Sequence, residues 1–562
     1  MSEVNDEPDD QSGGIRGGRR SAAAREVKRR SIASIGARCA GGAADESLPL
    51  SAFSRRELLV LGGSLGAAEV LRGAGRASAS PRRTPRTDAR VVIVGAGLAG
   101  IAAAYQLRRV GVASTVYEAR DRLGGRCWTA RGFADGQTAE HGGEFIDTRH
   151  VHLRQLVREL GLELDDLSAA RAGPYSPNLV GGRNVTQHEF NEGMRPVQAA
   201  VAREARRVGV LRHDGRVDTT AISYPTATPA AVAVDQLSMA EWLQTQVPGA
   251  LGSDLGEWLD QTMTGWYGLN MDRLSALNWM DYLIIPSPGA DERWHVHGGN
   301  DQVIHRAAAV LPAASLHTDA ALRAIRRRAG GSYALYFDGV PGPVIADLVI
   351  LTMPFTTLRD VDMRGAQFSA HKLDAIHELA MGSDAKVLVQ YDTRPWKLHH
   401  WSASMTSSDP DFDTWESSAD QVGQSGLITV YGGGRTAESW RGPAAHAPAT
   451  AQLRDSVLDR IDQAVPGSRA HFNGRAWADL WPQDPWTRGS YAAFAPGQYT
   501  RFWVGLGQPE GNVHFAGEAT STYSQGYLNG GVESGYRTAL EIMRKLRIPL
   551  PRHLARLPYS PI

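Results

Sequence analysis

The feature that most constrains this 562-residue chain is a β-branched run, Val91-Val92-Ile93-Val94, that leads directly into Gly95-Ala96-Gly97-Leu98-Ala99-Gly100. A buried strand followed by G-x-G-x-x-G opens a helix, here predicted to run to about Arg109. The first glycine makes the tight turn, the second lets a pyrophosphate approach the backbone, and the third allows close helix-to-strand packing. The helix N-terminus then offers unpaired N–H groups and a partial positive charge. A second strand, Thr115-Val116-Tyr117, ends at Glu118, whose carboxylate is placed to accept both ribose hydroxyls and to repel a 2′-phosphate. The nucleotide expected is therefore FAD or NAD rather than NADP.

Length predicts two or three domains. Hydrophobic residues make up 42% and charged residues 21%, values of a globular chain with a sizeable core. Lys+Arg and Asp+Glu stand at 60 each, so no global positive field draws nucleic acid or an anionic membrane. Cys39 and Cys127 are the only cysteines, too few for a disulfide framework or a C-x-x-C centre, so redox chemistry must come from a cofactor. No run of 18 apolar residues free of charge predicts a membrane-spanning helix. His295 and His297 read as alternating positions on a short strand, and no metal site is expected.

Residues 1–50 are rich in Gly, Ala, Ser and Arg and read as a disordered leader. Ser54-Arg55-Arg56-Glu57-Leu58-Leu59, an apolar run from Val60 to Leu71 and then Ala77-Ser78-Ala79 follow the order of a twin-arginine export signal. The expectation is export to a periplasmic or extracellular location, with the cytoplasm as the alternative. The boundaries read are a leader over 1–88, a first part of the nucleotide domain over 89–150 and a helical substrate domain over 151–290. A second nucleotide part over 291–360, a substrate-domain sheet over 361–485, a closing nucleotide segment over 486–548 and a tail over 549–562 complete the chain. Within them, helices are expected at 152–162, 238–246 and 366–378, and strands at Asp347–Leu351 and Lys386–Tyr391. Trp258, Trp266, Tyr267, Trp279 and Tyr282 read as core aromatics, or as walls of a substrate cavity.

The run Glu118-Ala119-Arg120-Asp121-Arg122-Leu123-Gly124-Gly125-Arg126 resembles the flavin-containing amine oxidase family, which includes monoamine oxidases, polyamine oxidases and L-amino-acid oxidases. Further similar segments are Glu140-His141-Gly142-Gly143-Glu144-Phe145-Ile146, Trp294 to Gln302, Leu322, His514 to Thr520 with Gly517 and Glu518, and Gly526-Tyr527-Leu528-Asn529-Gly530-Gly531. They span about 90 to 545. The resemblance implies an α/β fold: a Rossmann-like FAD-binding domain of discontinuous segments, interleaved with an α+β substrate-binding domain. It also implies Arg126 on the FAD pyrophosphate, Gly142, Gly143, Glu144 and Phe145 beside the flavin, and Leu322 near adenine. Asn529 departs from the family, which more often has an acid there.

The same resemblance assigns the chemistry. Lys386 matches the lysine that reaches flavin N5 through a water, while Tyr491 and Tyr527 match the pair that faces the substrate nitrogen. Ser490 stands where some relatives carry the cysteine that binds FAD covalently, so non-covalent FAD is expected. Phe145 stands where L-amino-acid oxidases have an arginine for the substrate carboxylate, and an apolar ring lacks those donors. Arg149 could substitute only if the loop is shaped differently. The favoured expectation is a primary amine oxidised to an imine, then aldehyde and ammonia, with O2 giving H2O2; an L-amino acid is the alternative. Desaturases and porphyrinogen oxidases share these cofactor segments, and a non-catalytic FAD-binding protein is the remaining reading. The partners expected are a small amine or amino acid and O2, with a homodimer left open.

Overall fold

The computed structural model describes residues 88–170, 177–285, 287–398, 402–408 and 411–561, so the leader and the twin-arginine segment lie outside the described residues. Strand Val91–Val94 is buried throughout and forms the middle of a five-stranded sheet. Its neighbours are Leu348–Leu351 and Ser114–Tyr117, with Val513–Phe515 and Leu316–His317 at the two edges. All four pairings are parallel. Parallel sheets are covered on both faces, which explains why the central strands are continuous apolar runs instead of alternating ones. The order also shows how discontinuous the unit is, because residues near 91, 114, 316, 348 and 513 supply adjacent strands.

Helix Leu98–Arg109 follows the glycine turn, and helix Leu528–Leu546 packs against it. Close approach at both places depends on glycine. A Cβ on Gly100 would lie 2.0 Å from Gly95 O, and one on Gly535 would lie 2.3 Å from Ala99 O. The two helix N-termini consequently come together, with a Cβ on Gly531 only 3.6 Å from Leu98 Cβ.

The second unit is built on an eight-stranded mixed sheet in which Asp384–Tyr391 lies between Phe472–Asp479 and Gly426–Gly433, antiparallel to both. Every residue of this strand is buried. Period-2 alternation sends Ala385, Val387, Val389 and Tyr391 into an apolar core on one face. Asp384, Lys386 and Leu388 take the other face, toward residues 130–144. Helices Gln187–Val208, Pro229–Asp235, Met239–Gln246, Asp254–Tyr267 and Ala276–Ile284 fill the largest apolar core. Two of them begin with capping boxes, Thr186/Glu189 and Ser238/Glu241, which satisfy the first orphan N–H groups. A four-stranded sheet of Leu322–Arg327, Tyr333–Phe337, Val344–Ala346 and Asp362–Gly365 completes the body.

The expected interleaving of a Rossmann-like unit with an α+β unit is what the chain forms. Local boundaries differ: the helix expected over 152–162 ends at Glu159, and the strand expected from Asp347 starts at Leu348. The helix expected from 366 starts at Ala370, because Gln367 sits at φ 60 and the Ser369 hydroxyl caps the helix by accepting from Lys372 N. The strand expected from Lys386 starts two residues earlier, at Asp384. Replacement of Gly100 by valine should destabilise the protein by roughly 3 kcal/mol, the upper part of the overpacking range, because backbone faces the added atoms. A Tm within error of wild type would count against this packing.

Candidate active site

One cavity of about 790 Å3 runs between the C-terminal ends of the parallel strands and the second unit's sheet and helices. Ligands of open α/β sheets bind at this end of the strands. Its nucleotide side is lined by Gly95, Gly97, Leu98, Ala99, Glu118, Ala119, Arg120, Gly125, Arg126, Leu322, Gly517, Glu518, Gly526 and Leu528. Gly142, Gly143, Glu144, Phe145, Lys386, Tyr491 and Tyr527 line it nearer the substrate side. Three residues expected at the cofactor do not line it: Ala96, Gly100 and Asn529.

Each of the three has a structural reason. Ala96 acts through its backbone, donating to Glu118 Oε2 at 2.7 Å. Gly100 serves the packing described above. Asn529 is fully buried and turned away from the cavity, where its Oδ1 accepts from the His152 and Leu153 N–H groups at 3.1 and 2.9 Å. It therefore holds the N-terminus of helix Val151–Glu159, and its Nδ2 donates to Ser524 Oγ at 2.9 Å. The direction of this first-turn side chain is set by packing against helix Val151–Glu159, which the primary sequence does not reveal.

The geometry fits a dinucleotide. The helices starting at Leu98 and Leu528 both lack a side-chain cap, so their first N–H groups are left to receive an anion such as a pyrophosphate. The Glu118 carboxylate is held in place by Ala96 N and by Arg120 N, the latter at 2.9 Å. Arg120 makes a two-pronged pair with Asp484 at 2.8 and 2.6 Å, so its guanidinium anchors a distant loop. Arg126 donates to Ser490 O and to Glu518 Oε1, the second at 3.1 Å, while still bordering the cavity.

On the substrate side, Lys386 Nζ donates to Glu140 O at 3.0 Å, Gly142 O at 2.8 Å and Glu144 Oε2 at 3.0 Å. All three ammonium protons thus have acceptors, so contact with a water at the flavin would replace one of these bonds. Glu144 Oε1 in turn accepts from Trp415 Nε1 at 2.8 Å and Ser417 Oγ at 2.9 Å. The Phe145 ring meets Trp415 edge-on at 5.2 Å. Tyr491 and Tyr527 flank Gly526, where a Cβ would lie 3.5 Å from the Tyr491 ring, and Tyr527 packs on the His150 ring at 4.9 Å. Trp258, Trp266, Tyr267 and Tyr282 wall the cavity, whereas Trp279 is core.

Several carboxyls also face this half, and sequence reasoning missed them. Burial pushes Asp281 up to about 7, against a hydrogen bond from Tyr499 that pulls the other way. Burial likewise pushes Asp384 up to about 8. Asp413 and Glu292 border the same space. A signal for Asp384 does exist in the sequence, since it lies two positions from Lys386 on one strand and so on its face. Asp281 gives no comparable signal. Arg149 reaches the cavity, but its Nε donates to the buried Asp147 Oδ2 at 3.0 Å. His295 lies away from the cavity and pairs with Asp420 at 2.8 Å and Asp165 at 3.3 Å.

Glu144→Gln should cost about 3–5 kcal/mol in urea unfolding, because it leaves the buried Lys386 ammonium without its charge partner. The double variant Lys386→Met/Glu144→Gln should lose much less than the sum of the two single variants. Additive losses would show that the pair is not coupled.

Comparison with known proteins agrees with this construction. The model of the family "Flavin containing amine oxidoreductase" matches residues 98–543. A Mycobacterium tuberculosis protein named as a flavin-containing monoamine oxidase is 28% identical over 470 residues, covering 80% of this chain and 96% of its own. The L-amino acid dehydrogenase of Synechocystis is 24% identical over 475 residues, covering 82% and 96%. The structure of cyclohexylamine oxidase from Brevibacterium oxydans shares the fold, with a TM-score of 0.69 at 23% identity over 82% of this chain and 99% of its own. From its glycine turn to the helix that closes the cofactor cavity, this chain belongs to the flavin-containing amine oxidoreductases, and its cofactor is FAD.

Proposed function

We propose that this protein oxidises a primary amine that carries no α-carboxylate, with O2 as electron acceptor. The observation that carries this reading is the charge on the substrate side of the cavity. Asp281, Asp384, Asp413 and Glu292 border it, while two cations on that side are already paired, Arg149 with Asp147 and Lys386 with Glu144. An arriving ammonium meets carboxyls and ring faces, both of which attract a cation. A substrate carboxylate would find Arg149 and Lys386 already engaged by Asp147 and Glu144.

When bound, FAD would supply the acceptor for a hydride from the amine α-carbon and the site at which O2 is reduced to H2O2; the imine would hydrolyse to aldehyde and ammonia. The chain's own part is positioning and exclusion of water. The uncapped helix N-termini at Leu98 and Leu528 would hold the pyrophosphate, and Glu118 the ribose. Tyr491 and Tyr527 would orient the amine nitrogen, and the aromatic wall of Trp258, Trp266, Tyr267 and Tyr282 would set the shape admitted. Ser490 offers no thiol for covalent attachment, and its hydroxyl is engaged by Asp384, which supports non-covalent FAD.

A second reading, an L-amino acid as substrate, is favoured by one observation: Arg149 does border the cavity, and its pairing with Asp147 is of a kind that a substrate carboxylate could exchange. Export by the twin-arginine route belongs with these proposals and is testable by fractionating cells that express the full chain.

Anaerobic titration of the purified yellow protein decides between the substrates. Primary amines should bleach the flavin and amino acids should not; bleaching by amino acids alone overturns the amine reading. With an amine substrate and air, peroxide should form in proportion to turnover. Lys386→Met should keep its FAD and slow turnover or flavin reoxidation at least tenfold. Unchanged rates in that variant would remove Lys386 from the chemistry.

A further inference from the structure

The strand that carries Lys386 carries a second ionisable group on the same face, two residues earlier. Asp384 is 1% exposed, and its Oδ1 has no hydrogen-bond partner among the described residues. A buried carboxyl without a full set of partners is costly unless something else uses it. The groups packed around it are specific. Ser490 Oγ donates to Oδ2, and the hydroxyls of Tyr431 and Tyr491 lie against the same carboxyl. Glycines 268 and 433 leave the room it occupies, since a Cβ at either position would lie 2.5 or 2.8 Å from its oxygens.

The hydroxyl protons can be counted. Tyr491 has one, and it is donated to Gly265 O at 3.0 Å. Its contact with Tyr431 at 3.1 Å therefore needs Tyr431 as the donor. The single proton of Tyr431 thus has two acceptors within reach, the Tyr491 oxygen and the Asp384 carboxylate. Tyr431 also borders the cavity beside Trp415, as Asp384 and Tyr491 do, so the hydroxyls that hold the carboxyl open onto the substrate space.

We infer that Asp384 is the proton acceptor for the substrate ammonium, reached through the Tyr431 hydroxyl. This rests on the amine reading of the site. With Asp384 ionised, the Tyr431 O–H turns to the carboxylate and presents its oxygen to the ammonium. An N–H bond breaks as that proton joins the Tyr431 oxygen, and the tyrosine's own proton passes to Asp384. Ammonium and carboxylate become neutral amine and carboxylic acid, and no other reactant is needed. The amine keeps a free lone pair, which loss of hydride from its α-carbon requires. Asp384 acts here through Tyr431 and is a positioning and proton-holding residue.

The pH dependence follows from the charges that face this carboxyl. Burial raises its proton affinity to about 8, while the Ser490, Tyr491 and Tyr431 hydroxyls lower it. Lys386 lies on its own strand, Asp413 lies across from Tyr431 on the neighbouring strand, and Glu438, paired with Arg273, accepts from the Oγ of the adjoining Ser383. The relay starts from the ionised form. Turnover at low substrate should therefore rise with pH up to about 8 and level off above, with the limb belonging to the protein.

The test measures kcat/KM against pH for two amines of similar shape and different basicity, benzylamine and 4-nitrobenzylamine. In wild-type holoenzyme the acid limb should fall at the same pH for both. In Asp384→Asn and in Tyr431→Phe the limb should move to the basicity of each amine, and kcat/KM at pH 7 should drop by about 10²-fold. FAD content and Tm are recorded for each variant, since a merely structural role would change these and leave the limb in place. A wild-type limb that already follows the amine overturns the inference, as does an unmoved limb in folded, FAD-loaded Tyr431→Phe. If Asp384→Asn does not fold, the wild-type and Tyr431→Phe profiles still decide. Failure of every primary amine to reduce the flavin would instead sink the amine reading itself.

Discussion

One buried carboxylate, Glu518, joins three stretches of chain that are far apart in sequence. Its Oε1 accepts from Arg126 Nη1 and from Ala492 N, each at 3.1 Å, and its Oε2 accepts from Gly526 N at 2.9 Å. Arg126 closes the glycine-rich run after the second strand, Ala492 follows Tyr491, and Gly526 precedes Tyr527. The cofactor side and the two substrate-facing tyrosines are thereby tied to one anion by charge-assisted bonds, which are stronger than neutral ones. Glu518, expected from the sequence at the cofactor, serves in the structure as a tie between these segments. Both of its oxygens are used in assembling the cavity that the cofactor enters.

Around that node the cavity separates charge. The nucleotide side is electropositive through the uncapped starts of two helices, which suits a pyrophosphate. The substrate side collects carboxyls held in a low-dielectric wall, where burial raises their hold on a proton, to about 7 for Asp281 and about 8 for Asp384. A group poised in that range can be neutral when the cavity is empty and ionised when a cation arrives. The aromatic wall then contributes shape and ring faces, and these cost little desolvation.

Lys386 and Glu144 show how the two units are held in register. A buried ion pair adds little net stability by itself, yet breaking one half of it is expensive. Here the lysine comes from the large mixed sheet and the glutamate from the segment beside the cofactor, so the pair specifies how one unit sits on the other. Trp415 and Ser417 hold the far oxygen of Glu144, which fixes the carboxylate from both sides.

Much of the cofactor half is legible in the order of residues alone. Val91–Val94, the glycine turn and the helix end at Arg109 follow from local periodicity and from backbone conformations that only glycine adopts cheaply. Lys386, Tyr491 and Tyr527 are reached by resemblance, and they do meet at one cavity. The Asn529 side chain is turned away from the cavity, because its direction depends on the packing of Leu528–Leu546 against helix Val151–Glu159, two elements that lie far apart along the chain. The charge of the substrate side is only partly readable: Asp384 shares a strand face with Lys386, but Asp281 and Asp413 sit on other elements, and nothing in their spacing says that those elements share a wall. The amino-acid sequence by itself thus determined the nucleotide turn and the strands beside it, which are local patterns, while the flavin family was reached by the resemblance of its motifs. Only the tertiary structure decided which carboxyls border the cavity and which polar side chains serve as caps and ties, because burial and hydrogen-bond partners arise from long-range contacts between strands and helices.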